Sequence, residues 1–160
     1  MKHRKFWKIL LVCLNVVWLG VIYWFSAQNG EDSGKLSGII SQFLLRLFGN
    51  FMPEEQFHAL LRECAHFGIF AIEGFLLYPA LRFLLPNRKH ALPIAWGMCV
   101  VFAVIDETHQ LFSDGRAFEL FDIAVDSCGA LLGILCFPLI LKILRHFIGY
   151  NRDISSKKLA

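Results

Sequence analysis

At 160 residues the chain has the size of one domain, and 56% of it is hydrophobic against 18% charged, which excludes an ordinary soluble globular domain. The net charge of +3 sits mostly near the ends of apolar runs, and no basic-aromatic pattern of an RNA or DNA reader occurs, which excludes a nucleic-acid partner. The apolar residues gather into four runs, each near the roughly 20 residues that a helix needs to cross a hydrocarbon core. The runs are continuous and lack the two-residue alternation of a barrel strand. They predict an all-α membrane protein with four transmembrane helices, surrounded by membrane lipids.

The first run spans residues 6–25 and follows Lys2, Arg4 and Lys5. It is longer than the 7–15 apolar residues of a typical signal-peptide core. Its exit, Phe25-Ser26-Ala27, has no small residue at the outer cleavage position. A retained helix is expected, with a cleaved signal as the alternative. Ser26 and Gln28 close this helix with polar groups.

Residues 27–63 form a longer connection. Within it Leu36, Ile39, Ile40, Phe43, Leu44, Leu47 and Phe48 recur at helical spacing, with Ser37, Ser41, Gln42 and Arg46 on the other face. That pattern suits an amphipathic helix in the membrane interface, and equally a lid packed on the end of a bundle. Gly49-Asn50 reads as a helix stop. Pro53-Glu54-Glu55 reads as a start, with proline in the first turn and acids near the positive end of the helix dipole.

The second span is expected at 64–85, the third at 91–112, and the fourth at 123–141 with continuation to 148. One domain, 1–150, holds all four, and 151–160 reads as a cytoplasmic tail. The cysteines Cys13, Cys64, Cys99, Cys128 and Cys136 all lie in or beside apolar runs without a CxxC pair. They read as small packing residues rather than a disulfide framework.

Lys and Arg flank the spans unevenly. Lys2, Arg4, Lys5 and Lys8 precede the first; Arg82, Arg88 and Lys89 surround the short turn between the second and third; Lys142, Arg145, Arg152, Lys157 and Lys158 follow the fourth. Four spans place these three regions on one side, and the positive-inside rule makes that side the cytoplasm. The expected topology is multi-pass, with both termini cytoplasmic. Residues 27–63 and 113–121 then face outward.

Polar residues mark the outward ends of the spans. Asp106, His109, Gln110 and Ser113 are spaced i, i+3, i+4 and i+7 and share one helix face, with Glu107 at its edge. At 1.5 Å per residue from Ala91, Asp106 stands roughly 22 Å up a core of about 30 Å. Arg62, His66 and Glu73 share a face of the second span. Asp122, Asp126, Gly129 and Gly133 share one of the fourth, where the glycines make a GxxxG step for close helix approach. Arg116 follows a turn at Asp114-Gly115. Ionisable groups in lipid are costly and face the bundle interior. Their gathering at one depth predicts a polar pocket open to the outside, formed by Ser26, Gln28, Arg62, His66, Asp106, Glu107, His109, Gln110, Arg116, Asp122 and Asp126. A network that only holds the bundle together is the competing reading.

These residues resemble the VanZ-like family of small bacterial membrane proteins. The resemblance runs from about Ser26 to Gly133: Ser26-x-Gln28, Ser33 and Ser37, Arg62-x-x-x-His66, Asp106-Glu107-x-His109-Gln110-x-Phe112-x-x-Gly115-Arg116, and Asp122-x-x-x-Asp126-x-x-Gly129. Asp126 stands where the family often has asparagine, and Phe70 where tyrosine is common. The resemblance implies a multi-helix plasma-membrane protein, and the family's name member is associated with low-level resistance to the glycopeptide teicoplanin.

Three functions compete. In the first, the chain is a cell-envelope factor that binds an amphiphilic, lipid-linked or lipoglycopeptide ligand, with Arg62 and Arg116 holding a phosphate or carboxylate. In the second it is a membrane-embedded enzyme on an envelope lipid, with His66 or His109 as base and Asp106 or Glu107 as orienting group or acid. The chain has no HExxH and no GxSxG motif, so no metal or other cofactor is expected, although the same acids and histidines suit a divalent cation as a variant of this reading. In the third it is a proton or solute pathway. For that Glu73 and Arg82 are too sparse, and the third span has no polar relay between Ala91 and Ile105.

Overall fold

The computed structural model describes the backbone of residues 2–27, 30–48, 52–113 and 117–158 and the side chains of 5–27, 38–47, 52–113 and 117–147. Among these residues there are five α-helices and no strand: α1 (Lys2–Ser26), α2 (Gly30–Phe48), α3 (Glu54–Leu84), α4 (Ala91–Gln110) and α5 (Leu120–Lys158). Four helical stretches among them are long and apolar enough to cross a membrane: Lys5–Ser26, Glu54–Leu84, Arg88–Gln110, in which a 3-10 turn at Arg88–His90 leads into α4, and Leu120–Phe147. The chain is a multi-pass, all-helical membrane protein.

α3 is the hub. It packs against α1, α2, α4 and α5, most extensively against α5. Glycine makes that crossing possible. A Cβ on Gly74 would run into the carbonyl oxygen of Ala130, one on Gly129 into that of Phe67, and one on Gly133 into that of Ala71. The GxxxG step expected in the last span is therefore a backbone-to-backbone contact, and Gly74 answers it from α3. α4 presents a stripe of small residues to the same interior: Ala91, Ala95, Cys99 and Ala103 are all fully buried. These four recur every four residues, one above the next on a single face. Continued upward, that face reaches Asp106, Glu107 and Gln110, which are buried too. The opposite sides of the helices are apolar and exposed, with Val101, Val104, Ile105, Leu132, Leu135 and Leu139 among them, as surfaces that meet lipid must be.

Indole donors add ties between helices. Trp18 Nε1 donates to the Ile69 carbonyl at 3.0 Å, joining α1 to α3. Trp96 Nε1 donates to the Ser127 carbonyl at 3.1 Å, joining α4 to α5. Pro79 and Pro138 lie inside α3 and α5, which transmembrane helices tolerate because neighbouring groups re-satisfy the freed backbone.

Several boundaries differ from expectation. α3 is one helix from Glu54 to Leu84, ten residues ahead of the expected start at 64. Pro53 is its N-cap rather than a first-turn residue, and Glu54 and Glu55 occupy the first turn, where acids complement the helix dipole. α4 ends at Gln110, two residues short of 112, and the chain tightens there: Leu111, Phe112 and Ser113 donate to the carbonyls of Thr108, His109 and Gln110. α5 begins at Leu120 and stays helical to Lys158, past the expected end at 148. The connection between α1 and α3 is helical as expected, but its burial is not set by its apolar stripe. Ser41 and Leu45 face inward, whereas Ile39, Ile40, Phe43 and Leu47 are exposed.

Candidate functional site

The end of α1, the upper part of α3, the end of α4 and the start of α5 meet at one end of the bundle, and the polar residues collect there. α1 is tied in through Ser26. Its Oγ donates to the Asp106 carbonyl at 3.3 Å and lies 3.1 Å from His109 Nδ1. Its own carbonyl accepts from Ser113 Oγ at 3.3 Å. His109 also stacks on Tyr23, with ring centroids 4.4 Å apart.

One turn earlier on α4, Asp106 receives Gln110 Nε2 on its Oδ2 at 3.1 Å, an i, i+4 pair on the buried face. Glu107 points toward α5. Its Oε1 accepts the backbone N–H of Glu119 at 2.7 Å. Glu119 directly precedes the first residue of α5, so this carboxylate takes up a donor that the start of a helix leaves unpaired.

α3 contributes Arg62 and His66. Arg62 Nη2 lies 3.4 Å from Glu63 Oε1, 3.6 Å from Glu119 Oε2 and 3.7 Å from Asp122 Oδ2. Its side chain is 41% exposed, so it stands at the edge of the cluster, with solvent or headgroup on one side and three carboxylates on the other. His66 Nδ1 lies 3.4 Å from Asp126 Oδ1. One ligand-type atom each of His66, Asp106 and Asp126 falls within 4.8 Å of the others. Three helices thus converge on one point.

The cluster is tightly enclosed: Asp122 is 2% exposed, Glu107 1% and Asp126 0%. It is not self-satisfied. Glu107 Oε2, Asp122 Oδ1 and both Asp126 carboxylate oxygens are buried without a hydrogen-bond partner. A network whose only task is cohesion gains from satisfying every member, because an unpaired buried acceptor costs about 1–3 kcal/mol and a charged one more.

Of the residues expected at the site, Ser26, Arg62, His66, Asp106, Glu107, His109, Gln110, Asp122 and Asp126 are brought to this end. Gln28 and Arg116 lie outside the described residues. Glu73 is fully buried farther down α3, with neither carboxylate oxygen hydrogen-bonded. Three residues escape sequence reasoning. Glu63 sits beside Arg62. Tyr23 stacks on His109. Asn15, 7% exposed, is a buried amide lower on α1, beside Glu73 of α3 and below the cluster. Asn15 is the one amide inside the first apolar run, and that isolation is the signal that could have flagged it.

Antiparallel membrane helices with a buried acid-histidine cluster at one end define a small polytopic membrane protein organised around a polar site. The sequence matches the VanZ/LLP1 family over residues 10–142, and the chain belongs to that family. No curated protein and no solved structure matches it.

Proposed function

We propose that this protein is a cell-envelope factor of the bacterial plasma membrane, with both termini in the cytoplasm, that binds the polar group of an amphiphilic or lipid-linked ligand at the outward end of its bundle. The observation that carries this reading is the set of buried carboxylate oxygens on Glu107, Asp122 and Asp126 that accept no hydrogen bond. Such groups are retained where something else completes them. The surroundings suit an amphiphile. Phe112, Leu120 and Phe121, exposed at 84%, 75% and 64%, border the polar cluster, so a ligand with a fatty tail meets apolar surface beside its headgroup site. The basic residues support the orientation: Arg88 and Lys89, between α3 and α4, lie at the end opposite the cluster. The outward, exposed apolar side of α2 then lies in the outer interface.

Within this reading the protein alters susceptibility to teicoplanin, a glycopeptide with an acyl chain, by holding it or the envelope lipid it meets. The test has two arms. Cells producing the wild-type chain, Arg62→Gln or Asp106→Asn at matched membrane levels are compared for teicoplanin susceptibility. The purified proteins, in lipid nanodiscs, are titrated with teicoplanin and analysed for retained lipid by native mass spectrometry. The expected result is wild-type binding of the glycopeptide or an envelope lipid, lost in both variants. Wild-type protein that retains neither, or variants that bind equally, overturns the proposal.

A second reading has its own observation. His66 beside Asp126, with Asp106 close by, is a histidine oriented by carboxylates, the arrangement of a general base. An enzyme acting on an envelope lipid would turn over a component of a lipid extract and lose that turnover in His66→Gln.

A further inference from the structure

We propose that His66, Asp106 and Asp126 bind one divalent cation of the zinc or manganese type. Three donors from three helices lie within 4.8 Å of one another. Around a zinc ion with ligand distances of about 2.0–2.2 Å, tetrahedral donors stand roughly 3.3 Å apart. The donors therefore need to close by at most about 1.5 Å, within the reach of side-chain rotation.

A second observation stands apart from the clustering. Asp126 is 0% exposed. Neither of its oxygens accepts a hydrogen bond, and the side chain placed against it is the His66 ring at 3.4 Å. An ionised carboxylate offers about four lone-pair directions, and burying it without donors is among the costliest arrangements in a protein interior. The nearby guanidinium does not relieve it, because Arg62 is placed against Glu63, Glu119 and Asp122. A dication does. Two carboxylates, a neutral imidazole and one dipositive ion sum to zero charge.

The donor set narrows the ion. One imidazole nitrogen and two carboxylate oxygens suit zinc or manganese. They are too few for calcium, which takes six to eight oxygens, and they lack the thiolates that favour copper(I). The Gln110 amide on Asp106 Oδ2, at 3.1 Å, fixes that carboxylate as outer partners fix metal ligands. Three protein ligands leave a coordination position for water or for an oxygen of a phosphate or carboxylate. The cation site goes beyond the amphiphile reading and does not depend on it, because the metal alone is the probe.

The full-length protein, purified in detergent, stripped with chelator and dialysed, is titrated separately with Zn2+ and Mn2+. Binding is followed by calorimetry and by elemental analysis of the washed protein. One equivalent of at least one ion is expected, with a raised melting temperature in its presence. Asp126→Asn and His66→Gln should each weaken binding by about 100-fold or more, above the 10–100-fold effect of losing an outer-shell partner. Glu55→Gln, on the exposed start of α3, should leave it unchanged. Equal affinity in an Asp126→Asn protein of wild-type helicity overturns the proposal. If the variants do not fold, the wild-type titration decides alone: no saturable binding of either ion below about 1 mM overturns it.

Discussion

Gly133→Ala tests whether the α3–α5 crossing sets both the stability of the bundle and the geometry of its polar end. A Cβ at this position would stand 2.8 Å from the Ala71 carbonyl carbon and 2.9 Å from the Phe75 nitrogen, and closer still to the Ala71 carbonyl oxygen. All three obstacles are backbone atoms, so no side-chain rotation relieves them and the helices must move apart. Overpacking of this kind costs about 1–3 kcal/mol, and a purely backbone clash belongs at the upper end. Alanine gains back up to about 1 kcal/mol over glycine in a helix. The net expectation is a loss of about 2 kcal/mol, roughly a 30-fold shift of the folding equilibrium. Gly20→Ala is the matched control: its added Cβ meets nothing within 4 Å, so only the propensity gain remains and stability should hold or rise. Both are measured by equilibrium unfolding in mixed micelles of rising denaturing-detergent fraction, followed by circular dichroism. Gly133 also lies two turns below Asp126 on the same face, so the separation should draw Asp126 away from His66. A Gly133→Ala protein as stable as Gly20→Ala would refute the reasoning about the crossing.

The remaining expectations concern the site and its orientation. Glu107→Ala removes the acceptor of the 2.7 Å bond from the Glu119 amide, so hydrogen exchange at that amide should accelerate about tenfold or more, whereas Glu107→Gln, which keeps an acceptor oxygen, should leave it near wild type. Unchanged exchange in Glu107→Ala would show that this contact does not anchor the start of α5. In a background with all five native cysteines replaced, a membrane-impermeant thiol reagent added to intact cells should label Phe118→Cys and not Lys89→Cys. The reverse pattern would invert the proposed topology.

The four spans are legible in the sequence because hydropathy over twenty residues is a bulk property that packing cannot override. The polar face of α4 is legible for a related reason: Asp106, His109, Gln110 and Ser113 follow a helical period, and lipid forces such a face inward. Gly129 and Gly133 announce the tight crossing, but Gly74, their counterpart on α3, stands six residues from Gly68 and makes no GxxxG step with it. The start of α3 is hidden because residues 54–63 include Glu54, Glu55, Gln56, His58, Arg62 and Glu63. Hydropathy ends there, although the helix does not. The partners of Arg62 are hidden for a topological reason. Glu119 and Asp122 lie far along the chain, and only the meeting of α3 with α5 brings them within 4 Å. The inward placement of Ser41 and Leu45 in α2 depends on which side of that helix α3 offers a surface, which no local pattern encodes.

The small-residue stripe of α4 has a consequence for how the protein is made. Ala91, Ala95, Cys99 and Ala103 offer lipid little to grip, and the acids above them are a burden to any span released alone into the bilayer. α3 shares the burden through Glu73 and is joined to α4 by a short turn. The pair therefore leaves the translocation channel most readily as a hairpin, each strand of it shielding the other. The seal over Asp106 and Glu107 closes only when α5, which follows them in the chain, docks its glycines against α3, so until then these acids stay open to hydration.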